Sequence, residues 1–201
     1  KNLILNNLGK KIKIIGHGIE IDNKYFPKKI KGKLKKLIFF SRIHEKKGLI
    51  ELLRIWNKLK FKNNWQLEIY GPVSNATYYK NILNFIKNQK LEKEIKVLGS
   101  VFDEASKKKI FSEATAFILP SKSENFGISI GEALSHGLPV LTTFQTPWKI
   151  INDYKAGYVF DFSEENILHE LDKFMSLNSE QVYKMSLNAL NLVKDNFEYN
   201  S

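Results

Sequence analysis

The sequence predicts an α/β fold in which a parallel β-sheet carries helices on both faces. Short apolar runs alternate with amphipathic helical stretches from residue 37 to residue 194. Most of the runs stop at a glycine, proline or serine turn, as at Gly71-Pro72 and Pro120-Ser121. A hydrophobic fraction of 43% over 201 residues is enough material for one full core.

Lys11–Ile15 reads as a short strand, followed by a turn at Gly16-His17-Gly18. Residues 23–34 are polar and basic, contain Pro27 and Gly32, and read as a linker. Leu37–Phe40 is a compact apolar run, the pattern of a strand buried on both faces. From Lys47 to Leu59, the residues Leu49, Leu52, Leu53, Trp56 and Leu59 fall on one helical face. Trp65–Tyr70 is the next strand, Tyr78–Asn88 an amphipathic helix and Ile95–Leu98 a strand ending at Gly99. Asp103 is placed to cap a helix running to Glu113. Thr115–Leu119 is a strand, Phe126–Ser135 a helix closed by Gly137, and Leu138–Thr142 and Gly157–Phe160 are two more strands. Ser163 opens a helix to Met175, and Ser179 opens a last one to Lys194. Residues 35–201 thus form one Rossmann-like domain joined by right-handed crossovers.

Composition excludes several function classes. There is no cysteine, so neither a disulfide framework nor a thiolate metal site is available. The four histidines, at 17, 44, 136 and 169, have no H-x-x-x-H spacing, and a zinc site is not expected. No apolar run reaches the roughly 20 residues that span a bilayer. The start, Lys1-Asn2-Leu3-Ile4, has no initiating Met and no signal-peptide core, so a fragment of a longer protein is expected. The net charge of +11 is uneven: residues 1–60 hold 17 Lys and Arg against 4 acidic residues, and the remainder 15 against 17. Such a surplus can draw phosphates, anionic lipid or nucleic acid, or can be a set of solvated lysines.

Ligands of open parallel sheets sit outside the carboxyl ends of the strands. The segments to inspect are therefore 41–48, 71–76, 99–103, 120–127 and 143–148. The most informative is Pro120 to Val140, where a strand ends, a polar loop follows and a helix starts near Phe126. Free N–H groups at that start favour an anion. Gly127 lets a ligand approach the backbone. Glu124 precedes the helix, and Glu132, eight residues later, returns to nearly the same face.

These residues carry a resemblance. Ser121-x-x-Glu124-x-Phe126-Gly127, followed by Glu132-Ala133-x-x-x-Gly137-x-Pro139-Val140, resembles the signature of glycosyltransferase family 4 (group 1) and its relatives. Ser41-Arg42 through Lys47-Gly48 resembles that family's G-R-x-x-x-x-K-G segment, and Ile69-Tyr70-Gly71 its second-strand glycine turn. Gly16-His17-Gly18-Ile19-Glu20 resembles its P-N-G-I-D linker, with Phe26-Pro27 for its F-x-P and Thr146-Pro147-Trp148 for a T-P-W variant of enzymes that build bacterial surface polysaccharides.

The resemblance implies the C-terminal half of a GT-B fold. Residues 1–22 would be the last segment of a missing N-terminal acceptor domain, 23–34 a basic linker and 35–201 the nucleotide-sugar-binding domain. It implies a retaining, metal-independent transfer from a nucleoside diphosphate sugar to a glycan or lipid-linked acceptor. Arg42 and Lys47 would hold the diphosphate, Glu132 the ribose hydroxyls and Glu124 the hydroxyls of the transferred sugar. Asn125, Phe126 and Gly127 would contact sugar or phosphate, and Gly99, Ser100 and Val101, with Gly71 nearby, would meet the base. No cofactor, metal or nucleic acid is expected, and the implied place is the cytoplasmic side of a membrane, with possible peripheral contact.

There are departures. Ser41 replaces a glycine, Gly16 and His17 replace Pro and Asn, and Asn125 stands where a small residue is usual. The residues also admit plainer readings: Arg42 paired with Glu45, Glu124 as a helix cap, Glu132 as a solvated residue, Trp56 and Phe85 as core, His44 and His136 as structural, and Trp148 as either core or cleft wall. The competing functions are a GT-B epimerase, a phosphorylase, and a non-catalytic module binding a nucleotide sugar or a polyanion.

Overall fold

The computed structural model describes residues 34–60, 62 and 64–197. The expected strand at Lys11–Ile15, the 16–20 turn, Phe26-Pro27 and the linker up to residue 33 lie outside the described residues. Six strands form one sheet: β1 (Lys35–Phe40), β2 (Trp65–Tyr70), β3 (Ile95–Gly99), β4 (Ala116–Leu119), β5 (Val140–Thr143) and β6 (Gly157–Phe160). All are parallel, in the order β3-β2-β1-β4-β5-β6. The α-helices are α1 (Leu49–Lys58), α2 (Ala76–Asn88), α3 (Glu104–Glu113), α4 (Ile128–Ser135), α5 (Ile150–Tyr154), α6 (Glu164–Met175) and α7 (Ser179–Phe197).

The strand sequences match their places in the sheet. β1 is central, and its Leu37, Ile38 and Phe39 are fully buried. All four residues of β4 are buried as well, because helices cover both faces there. β3 is an edge strand and alternates buried with less buried residues. Helix α1 turns Leu49, Leu52, Leu53, Ile55 and Trp56 inward, and the Trp56 indole donates to Glu94 Oε2 at 3.0 Å. It packs with α2 and α6 in one layer. Helices α4 and α5 pack against α7 in the other. Phe111 of α3 joins this second layer, stacking on His136 at the end of α4 with ring centroids 5.2 Å apart.

Where boundaries differ from expectation, the cause is local. α1 starts at Leu49 rather than Lys47, because Glu45–Lys47 forms a separate 3-10 turn that His44 caps through Nδ1. β5 starts at Val140 rather than Leu138, because the Leu138 N–H closes the end of α4 on the Ala133 carbonyl at 2.9 Å. α5 has five residues, too few to leave a periodic signal. Just beyond the expected linker, the lysines enter the sheet. Lys36 lies in β1, 3.2 Å from Glu68 and 3.3 Å from Glu113. Burial alone would lower its pKa, but these carboxylates outweigh that and raise it.

The strand order reverses between β1 and β4, so the chain leaves these neighbours in opposite directions and opens a crevice at their carboxyl ends. Among the described residues, no helix is long and apolar enough to cross a membrane.

The exposed side of β6 is closed by one side chain. Asn152 accepts from the Val159 N–H at 2.9 Å and donates to the Val159 carbonyl at 3.1 Å, satisfying the edge as a neighbouring strand would. Val159 is only 6% exposed, so solvent cannot easily replace both bonds. Asn152→Ala is expected to destabilise the fold by about 1–3 kcal/mol, read as a lowered urea midpoint with an unchanged slope.

Candidate functional site

A cavity of about 480 Å³ lies at the carboxyl rim where the strand order reverses. The end of β1 lines it with Phe40, the segment after β1 with Ser41, Arg42 and Lys47, and the turn after β2 with Gly71 and Pro72. The segment after β4 contributes Glu124, Asn125, Phe126 and Gly127, and α4 contributes Ile128, Ser129 and Glu132.

Two glycines set how closely these segments approach. Gly48 has φ +69°, and a Cβ there would lie 2.0 Å from the Pro120 carbonyl oxygen. Only a residue without a side chain lets the Glu45–Lys47 turn lie against the end of β4. Hydrogen bonds then tie the two segments: the Lys46 carbonyl accepts from the Lys122 N–H at 2.8 Å and from Ser121 Oγ at 3.0 Å. Gly71 has φ +141°, and its Cβ would lie 1.9 Å from the Ser41 carbonyl oxygen and 3.3 Å from the Arg42 nitrogen. Arg42 therefore takes its place from the turn after β2 as much as from β1.

Lys47 is only 8% exposed, and its ammonium forms an ion pair with Glu124 Oε1. Arg42 is exposed at the cavity, and no Arg42–Glu45 pair forms among the described residues. Glu45 accepts from Asn75 Nδ2 at 3.0 Å instead. The Glu124 N–H donates to the Gln145 carbonyl at 3.2 Å, which holds the loop toward the strand β5 side. Trp148 is core, 1% exposed, and lies under that loop. Its indole N–H donates to the Phe126 carbonyl at 2.5 Å, and its ring meets Phe126 and Phe197 at 5.5 and 5.2 Å.

The two carboxylates meet differently from the sequence expectation. α4 begins at Ile128, so Glu132 is its fifth residue and Glu124 lies outside it. They share the cavity because the loop folds back over the helix start, not because they share a helical face. Gly127 lines the cavity, but a Cβ there would meet Ile130 Cδ1 at 3.1 Å and the Trp148 indole nitrogen at 3.4 Å. Its missing side chain thus makes room for Ile130 and Trp148 beneath the loop. Gly99, Ser100 and Val101 do not line the cavity. They lie at and just after the end of β3, further along the same rim, where the Gly99 carbonyl accepts from the Gly71 N–H at 2.8 Å.

One charged neighbour escaped the sequence reading. Lys107 Nζ lies 2.6 Å from Glu132 Oε1. Lys107 belongs to a Lys107-Lys108-Lys109 run, and only its place one turn after the Asp103 cap separates it from the other two. His44 and His136 are structural. The first caps the 3-10 turn, and the second has its Nδ1 2.8 Å from the Glu132 carbonyl.

Comparison with known proteins agrees with this architecture. The family described as "Glycosyl transferases group 1" matches residues 20–191. A sucrose synthase of Denitrovibrio acetiphilus is 35% identical over 89 residues, which is 41% of this chain and 11% of that protein. The O-antigen biosynthesis glycosyltransferase WclY of Escherichia coli is 28% identical over 119 residues, 54% of this chain and 33% of that protein. The matched stretches thus cover a third or less of the length of these two curated relatives. Among solved structures, the C-terminal domain of a glycosyl transferase group 1 family protein (LpcC) from Francisella tularensis superposes with a TM-score of 0.76. It is 21% identical, and the match covers 92% of this chain and 100% of that one.

Because a side chain at position 71 would collide with backbone, Gly71→Ala must move Ser41 and Arg42. It is expected to destabilise the chain by about 2 kcal/mol or more, seen in denaturant unfolding. Gly99→Ala, with nothing within 4 Å of the added carbon, is expected to cost less.

Proposed function

This chain belongs to the group 1 glycosyl transferases, and from that premise we propose that its cavity binds a nucleoside diphosphate sugar and forms the donor half of a retaining glycosyltransferase. One observation carries the reading. Two cations from the segment after β1 and two carboxylates from the segment after β4 meet in one cavity, where the strand order reverses.

Each residue type suits one part of such a donor. Arg42 and Lys47 hold the diphosphate, whose charge grows as the glycosidic bond breaks. Glu132 accepts hydrogen bonds from the ribose, and Glu124 from the transferred sugar. Backbone groups of Asn125, Phe126 and Gly127 contact sugar or phosphate. The base extends along the rim toward Gly99, Ser100 and Val101, next to Gly71.

In the reaction, the bond between the anomeric carbon and the diphosphate oxygen breaks, and its electron pair leaves with the diphosphate. The acceptor hydroxyl attacks the anomeric carbon from the same face and passes its proton to a departing phosphate oxygen. Configuration is retained. The leaving group is stabilised by cations, so neither a general acid nor a metal is needed to expel it. Glu124 serves as a positioning and electrostatic group rather than a nucleophile, which fits its pairing with Lys47.

The acceptor is a glycan or lipid-linked sugar in surface-polysaccharide synthesis, held by a further N-terminal domain on the cytoplasmic side of a membrane. Similarity to an O-antigen biosynthesis glycosyltransferase supports that choice.

Calorimetric titration with UDP, GDP and ADP in the presence of EDTA tests the reading. One of the three is expected to bind at millimolar affinity or better. Arg42→Ala and Lys47→Ala are each expected to weaken it about tenfold, as for loss of one charge-assisted contact. Wild-type protein that binds none of them would sink the proposal.

The Lys47–Glu124 pair gives a second expectation. Glu124→Gln releases Lys47, so the free diphosphate should bind a few-fold more tightly, about twofold to fivefold. The advantage of the intact nucleotide sugar over its diphosphate should shrink in the same titrations.

A further inference from the structure

Glu132 is not an isolated carboxylate at the cavity wall. Lys107 approaches its Oε1 to 2.6 Å from α3, and lies 3.2 Å from Glu104 Oε1 on its own helix. The Lys107 side chain is 18% exposed and does not line the cavity, whereas Glu132 does. Burial opposes the charge on Lys107, but Glu132 and then Glu104 more than compensate and keep the ammonium protonated. The first turn of α3 is itself fixed. Asp103 Oδ1 accepts from the Ser106 N–H at 2.8 Å, and the Asp103 carbonyl accepts from the Lys107 N–H at 3.1 Å.

A glutamate that must accept hydrogen bonds from a diol has two problems beside a diphosphate. It has several rotatable bonds to freeze, and it adds a negative charge to a cavity that must receive more. An ammonium held on one carboxylate oxygen answers both. It fixes the rotamer and neutralises the group, while a second oxygen is left for the ligand.

We propose that Lys107 is a positioning residue for donor recognition, which holds Glu132 through Oε1 and so makes affinity depend on the vicinal ribose hydroxyls. The inference rests on the ribose role assigned to Glu132, and the experiment separates the two.

The intact chain and its Lys107→Met, Lys107→Arg and Glu132→Ala variants are titrated with UDP, GDP and ADP and with the 2′,3′-dideoxy form of each. Thermal melts are run alongside. Wild type should prefer the ribose form of its nucleotide. Lys107→Met should lose about tenfold in affinity for that form and less than about twofold for the dideoxy form, and Lys107→Arg should recover most of the loss.

If Lys107→Met binds both forms as wild type does, or loses both equally, Lys107 has no positioning role. In that event, a Glu132→Ala variant that still loses only the ribose preference leaves the ribose reading standing. If Glu132→Ala does not change the preference for ribose, the reading of Glu132 fails, and the inference with it.

Discussion

The contact of the Gly48 backbone with the Pro120 carbonyl is the constraint from which the rest of the site follows. With a hypothetical Cβ 2.0 Å from that oxygen, the turn after β1 and the end of β4 have no tolerance for a side chain between them. Once they touch, the Lys46 carbonyl can accept from Lys122 and Ser121, and Lys47 is brought under the loop that carries Glu124. Residues 77 positions apart in the chain thereby form one ion pair. The sheet supplies the crevice, but this contact decides which side chains face each other across it.

Behind that contact, the site is supported by apolar packing rather than by further charge. Trp148 is buried between the loop and α7, with its indole N–H on the Phe126 carbonyl and its ring against Phe197. A buried ring with a single polar handle fixes a loop at low entropic cost, because only two side-chain torsions are lost. The last turn of α7, far from the cavity in sequence, is thus part of what holds Phe126 and Gly127 in position. Function and stability are coupled here through one side chain.

Strand and helix order was legible because each element carries its own periodicity, as in the continuous apolar run of β1 and the one-sided face of α1. Asp103 and Ser163 were legible as caps because their chemistry is local: each accepts from the N–H three residues on. Arg42, Lys47, Glu124 and Glu132 were legible only as a pattern along the chain, and the cavity they line depends on packing that no local pattern encodes. Lys107 was illegible for a related reason. It is one of three adjacent lysines, and its partner is 25 residues away on another helix. The short α5 and the 3-10 turn at Glu45–Lys47 are below the length at which periodicity distinguishes helix from loop.

Net charge is a poor guide to what this surface attracts, because it does not say where the charges sit or which of them stand beside a carboxylate. Among the described residues, Lys36 is paired with Glu68, Lys58 with Glu164, Lys62 with Glu94 and Lys122 with Glu51. Several of these pairs are exposed and add little to stability, but each presents a neutral pair in place of a bare cation at that point of the surface. A polyanion needs an unbroken basic stripe, and these interspersed carboxylates interrupt one. At the cavity the balance is different. Lys47 is matched by Glu124, Glu132 is matched from behind by Lys107, which also pairs with Glu104, and Arg42 is left with no acidic partner among the described residues. The cavity is therefore balanced in number, two cations against two carboxylates on its lining, but Arg42 is free to meet an anion. That distribution favours a compact anion at one place over a long one laid across the domain.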